Sequence, residues 1–99
     1  LQFISVSFSD PIWVLFSSGT TGKPKALVHG TGHMLLEHLK ALALHQNVCE
    51  GDTYFWYSTT GWMMWNYALS SLLCGATLCL YPGAPNHPTK DSLWHLLNV

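Results

Sequence analysis

Charged side chains are scarce in this 99-residue chain. They make up 9% of its residues, against about 25% in ordinary soluble domains, whereas the apolar fraction of 48% is ordinary. A self-contained domain of this size is mostly surface, and a surface needs charge. The shortage predicts that other polypeptide covers much of the apparent surface. We therefore expect the chain, which does not begin with Met, to be a piece of a longer protein.

Other features that the sequence lacks exclude several classes of partner. A net charge of -1 provides no basic field for nucleic acid or for an anionic membrane. The longest apolar stretch, residues 72–82, is far shorter than the roughly 20 residues that a membrane-spanning helix needs. Residues 1–10 lack the basic start and the small-residue cleavage site of a signal peptide. We expect neither a nucleic-acid partner nor a membrane partner.

Cysteine and histidine give no sign of a metal centre. The three cysteines are odd in number and form no C-x-x-C pair, which argues against a disulfide framework and a zinc site. Buried free thiols in a reducing compartment, the cytosol, are the simpler expectation. His29, His33 and His38 are close in sequence, but their spacings of four and five do not place all three on one helical face. No metal site is expected.

The most informative feature present is a string of nine residues after the apolar run Ile12 to Phe16. It reads Ser17-Ser18-Gly19-Thr20-Thr21-Gly22-Lys23-Pro24-Lys25. Its glycines let backbone amides turn inward, and its hydroxyls and lysines suit an anion with several charges. It differs from the Walker loop, because Ser17 stands where that motif needs glycine and Pro24 follows Lys23. The string predicts a polyphosphate-binding loop; the alternative is a polar surface turn between two strands.

Apolar patterning predicts alternating strands and helices. We expect strands at residues 12–16, 26–29, 53–58 and 76–81, and helices at 31–47, 62–74 and 91–97, with Thr31 as a helix cap and Gly75 as a helix stop. This order predicts an α/β fold: a partial, largely parallel sheet with flanking helices. Ligands of such sheets lie beyond the carboxyl ends of the strands, where we place both residues 17–25 and residues 59–62.

Residues 17–25 resemble the phosphate-binding signature of the adenylate-forming, AMP-binding enzymes, which include acyl-CoA synthetases, luciferases and the adenylation domains of peptide synthetases. Residues 26–30, 35–42 and 55–66 extend the resemblance over about residues 11–85, and acyl-CoA synthetases are the most similar members. We divide the chain into an unassigned N-terminal segment, 1–10, and a partial AMP-binding domain, 11–99, a piece of the family's large N-terminal domain.

The resemblance implies roles for two groups of residues. In these enzymes a carboxylate attacks the α-phosphate of ATP, and the thiol of coenzyme A then displaces AMP. By that resemblance the ATP phosphates contact Ser17, Ser18, Gly19, Thr20, Thr21, Gly22 and Lys25, with Lys23 the more replaceable lysine. One wall of the acyl pocket comes from Thr60, Gly61 and Trp62. Two alternatives stay open: Trp62 could equally be a core residue, and Lys25 a solvated charge.

The function expected from the resemblance is a fragment of an ATP-dependent acid–thiol ligase for a short acid, with acetoacetate the first candidate. Its partners are ATP, the acid, coenzyme A and the rest of the parent polypeptide, and the family implies Mg²⁺. The family places most ligands of Mg²⁺ and coenzyme A, and its adenylation lysine, beyond Val99. We therefore expect the fragment to be inactive alone and assign no catalytic residue. The alternatives are a truncated, non-catalytic polypeptide that binds nucleotide phosphates, and a sister ligase for acetate or another acid.

Overall fold

A computed structural model describes residues 1–18 and 22–97. Its elements, in chain order, are β1 (Pro11–Ser17), β2 (Lys25–Gly30), α1 (Thr31–Leu39), β3 (Thr53–Phe55), α2 (Met63–Leu69), β4 (Thr77–Cys79) and α3 (Ser92–Leu96). A π-helical turn, Lys40–His45, continues α1, and a 3₁₀-helical segment, Ser70–Cys74, continues α2. Every helix in this part of the chain is too short or too polar to cross a membrane.

The four strands pair as two separate two-stranded sheets. β3 and β4 are parallel, with Thr53 opposite Thr77, which confirms the α/β class with parallel pairing. β1 and β2 are antiparallel, with Ser17 opposite Lys25, so β2 returns beside β1 as the sequence predicts. Seven residues separate these two strands, too few for the crossover of a dozen or more that a parallel pair needs. Both candidate loops were predicted to follow strands of a parallel sheet. Residues 59–62 do so, whereas residues 17–25 follow a strand of the antiparallel pair.

Two strands are shorter than the sequence predicts. β3 ends at Phe55 and β4 at Cys79, whereas the apolar patterns continue to Ser58 and Tyr81. A strand persists only where a neighbour pairs with its backbone. The two strands share three facing pairs of residues, and their extensions have no strand partner within the described chain.

The start of α1 corrects the prediction that Thr31 is its cap. Gly30, in an extended conformation, occupies the cap position, and Thr31 is the first helical residue. The backbone N–H and the hydroxyl of Thr31 both donate to the carbonyl oxygen of Asp10, each at 2.8 Å. The N–H of Gly32 donates to the carbonyl oxygen of Phe8 at 2.8 Å. Backbone carbonyls of the N-terminal segment therefore satisfy the first free amides of the helix.

The positions predicted for the ends of the helices are partly correct. Gly75 ends the 3₁₀-helical segment in the left-handed region, with φ of 77°, as predicted. The first helix does not continue regularly to Asn47: α-helical geometry stops at Leu39 and the wider turn stops at His45. Asn47 then adopts a φ of 55°, which asparagine tolerates better than most residues.

Few side chains are fully enclosed. The buried apolar residues of the described chain are Leu42, Val48, Ala68 and Ala76. Leu42, Val48 and Ala76 form one cluster, against which Tyr54, Tyr67 and Cys74 pack. Several large apolar side chains lie in the open, such as Leu44 at 76% and Trp94 at 67% exposure. This small core and open apolar surface agree with the low charge content of the sequence.

The cysteines are free thiols, as expected. Cys74 and Cys79 are half-buried, whereas Cys49 is exposed, so the burial predicted for Cys49 is wrong. Cys49 lies at the turn before β3, where its N–H donates to the Asp52 carboxylate at 2.8 Å.

We expect Gly32→Ala to lower the stability of the complete protein. Gly32 is buried under the Phe8 ring, which a Cβ at this position would strike. The Phe8 backbone is held by its hydrogen bond to Gly32, so its ring has to swing away. Such overpacking costs about 1–3 kcal/mol, against the roughly 1 kcal/mol by which alanine is favoured in a helix. The measurement is the midpoint of unfolding, with Gly61→Ala as the control because nothing surrounds its Cβ. An unchanged or raised midpoint for Gly32→Ala contradicts this packing.

Candidate functional site

The β1–β2 hairpin positions the predicted phosphate loop. Ser17, the last residue of β1, is half-buried and faces Lys25, the exposed first residue of β2. Ser18 and Gly22 are exposed, and no atom of the described residues lies within 4 Å of a Cβ built on Gly22. The middle of the predicted set, Gly19, Thr20 and Thr21, lies outside the described residues. The binding role of the whole set stays a prediction.

The lysines of this loop are available for an anion. Lys23 and Lys25 are exposed, and neither forms an ion pair with any residue that the structure describes. The ion pair that is present joins Lys40 to Glu37 at 2.7 Å on an exposed face of the helix. The hydrogen bonds from Lys40, together with its charge, lower the pKa of Glu37. Hydroxyls, glycine amides and unpaired ammonium groups are a donor set that fits a triphosphate.

The predicted acyl-pocket residues connect β3 to α2. Thr60, Gly61 and Trp62 are all exposed, and Trp62 precedes the first residue of α2 in an extended conformation. The N–H of Trp62 donates to the carbonyl oxygen of Thr59 at 3.1 Å. The Trp62 side chain is 71% exposed, so it lies outside the core of the described residues. Its contact with substrate stays a prediction.

One cavity places the predicted acyl group beside the strand that leads into the predicted phosphate loop. It has a volume of about 300 Å³ and lies between β1 and the start of α2; we call it the β1–α2 cavity. Its lining residues are Val14, Leu15, Phe16, Thr60, Gly61, Trp62, Met63 and Asn66. Phe16 directly precedes Ser17, so the whole predicted acyl group shares a cavity with the strand end at which the phosphate loop begins. Sequence reasoning missed Phe16 and Asn66, although Phe16 adjoins the loop and Asn66 follows Trp62 by four residues.

A second cavity, of about 490 Å³, is lined by both strands of the hairpin and by α1 and α2. His38 lines it and is buried, with its Nδ1 at 2.6 Å from the Ser70 hydroxyl and its ring beside those of Trp13 and Tyr67. Burial lowers the pKa of His38, which favours the neutral ring. Within residues 1–18 and 22–97 no three His, Cys, Asp or Glu side chains are grouped to hold a metal ion.

A third cavity, of about 400 Å³, lies at the carboxyl ends of β3 and β4. Ser58, Thr59 and Thr60 line it from the β3 side, and Leu80 to Gly83 from the β4 side. The Tyr57 hydroxyl donates to the carbonyl oxygen of Gly83 at 3.2 Å and ties the two connections together. Thr60 therefore lines both this cavity and the β1–α2 cavity, at the edge of a parallel sheet where ligands bind in α/β folds.

Comparisons with known proteins place this geometry in a family. The sequence profile of the AMP-binding enzymes matches residues 4–99. The acetoacetyl-CoA synthetase of Rattus norvegicus is 48% identical over 98 residues, which cover 99% of this chain and 15% of the relative. The acetoacetyl-coenzyme A synthetase of Rhizobium meliloti is 48% identical over 94 residues, covering 95% and 14%. The malonamoyl-CoA synthetase of Penicillium aethiopicum is 41% identical over 92 residues, covering 93% and 13%.

A solved structure agrees with these relatives. The acetoacetyl-CoA synthetase from Streptomyces lividans superimposes with a TM-score of 0.87 and 54% sequence identity over 92% of this chain and 14% of that one. The predicted resemblance to the acyl-CoA synthetases of the AMP-binding family is thereby confirmed, and the similar enzymes named include acetoacetyl-CoA synthetases. The chain spans 15% of the length of the first curated relatives it matches. The profile begins at residue 4, inside the segment that the sequence left unassigned. Since it covers nearly the whole chain, this protein belongs to the AMP-binding enzyme family.

Proposed function

We propose that the chain is part of the large N-terminal domain of an ATP-dependent acid–thiol ligase whose acid is acetoacetate. The observation that carries this proposal is the β1–α2 cavity, which the Thr60–Trp62 stretch shares with Phe16, the residue before the phosphate loop. A ligase of this kind has to hold a carboxylate against a phosphate, and proximity of this sort supplies much of the rate. An acyl pocket that opens beside the phosphate loop meets that requirement.

The phosphate side of the proposed site uses Ser17, Ser18, Gly19, Thr20, Thr21, Gly22 and Lys25. Their hydroxyls and amides donate to the β- and γ-phosphates of ATP, and Lys25 neutralises charge on the group that leaves as pyrophosphate. Mg²⁺ and coenzyme A complete the proposed set, and we assign most of their ligands to the rest of the polypeptide. The parent enzyme is proposed to work in the cytosol.

The names of the relatives support acetoacetate as the acid. Acetoacetyl and malonamoyl groups, named in two of those enzymes, both carry a second carbonyl on carbon 3. The β1–α2 cavity combines apolar side chains with two polar ones, Thr60 and Asn66. A small pocket with such a mixed lining suits a short acid with one polar substituent. Acetate has no such substituent and gives these polar groups nothing to bind.

The proposed reaction has two steps. A carboxylate oxygen attacks the α-phosphorus, and the bond from that phosphorus to the bridging oxygen breaks, so that pyrophosphate leaves with the electron pair. The sulfur of coenzyme A, after its thiol proton is lost, then attacks the acyl carbon, and AMP leaves. The residues of this chain bind and orient both reactants for the first step. We propose that the 99-residue chain alone does not catalyse it.

The test is pyrophosphate release by the complete protein with ATP, coenzyme A and a panel of acids: acetoacetate, acetate and butyrate. We expect acetoacetate to give the highest kcat/KM. A preference for acetate or butyrate would favour a sister ligase instead. ATP binding without pyrophosphate release from any acid would favour a non-catalytic polypeptide that binds nucleotide phosphates.

A further inference from the structure

We infer that Asn66 determines acid specificity by donating a hydrogen bond from its carboxamide to the carbon-3 carbonyl of the acid. The inference rests on the proposed function and adds to it a residue and an atom of the substrate. Three observations carry it: the place of Asn66 on α2, the freedom of its side chain, and the scarcity of side-chain donors among the other residues of the cavity.

Asn66 occupies the first turn of α2 and lines the β1–α2 cavity. It follows Trp62, the extended cap residue of α2, by four residues, and both residues line this cavity. Asn66 is half-buried, whereas Trp62 and Thr60 are exposed. Asn66 is therefore more enclosed than these two acyl-pocket residues predicted from the sequence.

The Asn66 backbone is held while its side chain is free. Its carbonyl oxygen accepts a hydrogen bond from the Ser70 hydroxyl at 3.2 Å, and that hydroxyl lies 2.6 Å from Nδ1 of the buried His38. The carboxamide itself has no hydrogen-bond partner among the residues described. A free polar group on a rigid, anchored helix is the arrangement that precise recognition of a ligand requires.

The other side chains of the cavity offer few donors for a ketone. Those of Val14, Leu15, Phe16 and Met63 have none. A carbonyl enclosed there without a donor forfeits its hydrogen bond to water. Besides the indole N–H of the exposed Trp62, Thr60 and Asn66 are the two side-chain donors, and Asn66 is the most enclosed of the three. The carboxylate of the acid turns toward the phosphate loop and Lys25, so the neutral carboxamide is left for the neutral ketone.

The test compares acetoacetate with butyrate, a four-carbon acid that lacks the ketone, in the complete enzyme. For Asn66→Leu we expect kcat/KM with acetoacetate to fall about 10- to 100-fold. Activity with butyrate stays the same or rises, because the pocket has become more apolar, and KM for ATP is unchanged. Thr60→Val removes the hydroxyl donor with little change of shape, and in this variant we expect the preference for acetoacetate to persist.

Three results would overturn the inference. The first is an equal loss of activity with both acids in Asn66→Leu, which indicates a packing role. The second is loss of the acetoacetate preference in Thr60→Val alone. The third, which needs no variant and so covers a failure of Asn66→Leu to fold, is an unmutated enzyme that uses butyrate as well as acetoacetate. Failure of the unmutated enzyme with every acid would instead refute the proposed function, and this inference with it.

Discussion

In the complete ligase, Lys25→Ala is expected to lower kcat/KM for ATP about 10- to 100-fold while KM for the acid changes little. The substitution removes one charge-assisted contact with the triphosphate, worth about 1.5–3 kcal/mol, and each 1.36 kcal/mol corresponds to about a factor of ten in rate. Lys25 begins β2 opposite Ser17, at the mouth of the phosphate loop. In the proposed site the acyl group lies in the β1–α2 cavity, whose described lining does not include Lys25, and keeps its contacts.

A matched control separates this effect from a general loss of charge. Lys40→Ala removes the same side chain from an exposed pair with Glu37, and an exposed pair of this kind contributes little to stability. We expect Lys40→Ala to leave the dependence of rate on ATP unchanged. Pyrophosphate release measured against ATP concentration distinguishes the variants. If Lys25→Ala shows the same ATP dependence as the unmutated enzyme, Lys25 is a solvated charge and its assignment to the phosphates is wrong.

The hairpin and the class of the fold could be predicted because their signals are local. The apolar run at residues 12–16 and the short return at 26–29 specify two strands, and nine intervening residues allow only an antiparallel pair. Gly75 stops its helix because glycine adopts left-handed geometry without strain. Each of these features depends on residue types within a few positions.

Other features depend on contacts between distant segments. The cap of α1 comes from the carbonyl groups of Phe8 and Asp10. A backbone carbonyl leaves no trace in residue type, so Thr31 was the only visible candidate. The short extents of β3 and β4 depend on which strands lie beside them, and this information is not present in either segment.

The candidate site also has a part that can be predicted from local sequence and a part that depends on packing between distant segments. The phosphate loop is recognised from nine adjacent residues whose chemistry suits one ligand. The cavity beside it joins β1 to a helix that begins at Met63, and only the packing of the two elements shows that Phe16 and Asn66 face the same space. Asn66, flanked by Trp65 and Tyr67, reads in sequence as one polar residue of an otherwise apolar helix.

The 99-residue chain by itself is expected to associate or to be partly unfolded, and this is the most drastic outcome we predict. Its accessible surface is 7743 Å², whereas a compact monomer of 11.0 kDa is expected to expose about 5,600 Å². Its Cα radius of gyration is 16.1 Å, against about 13 Å for a compact domain of 100 residues. Among the residues that the structure describes, four apolar ones are buried, while Phe16, Trp62 and Trp94 are each more than two-thirds exposed.

Open strand edges add to this tendency. Each described strand pairs with one neighbour only, so every strand has one edge free to pair with another chain. The measurement is the mass in solution of residues 1–99 over a dilution series, together with thermal unfolding and ATP binding. We expect masses above 11.0 kDa that fall on dilution, a broad or absent transition, and weak ATP binding. A monomer with a sharp transition would show that this small core suffices for folding, and tight ATP binding by that monomer would favour the autonomous nucleotide-binding polypeptide over a piece of a ligase.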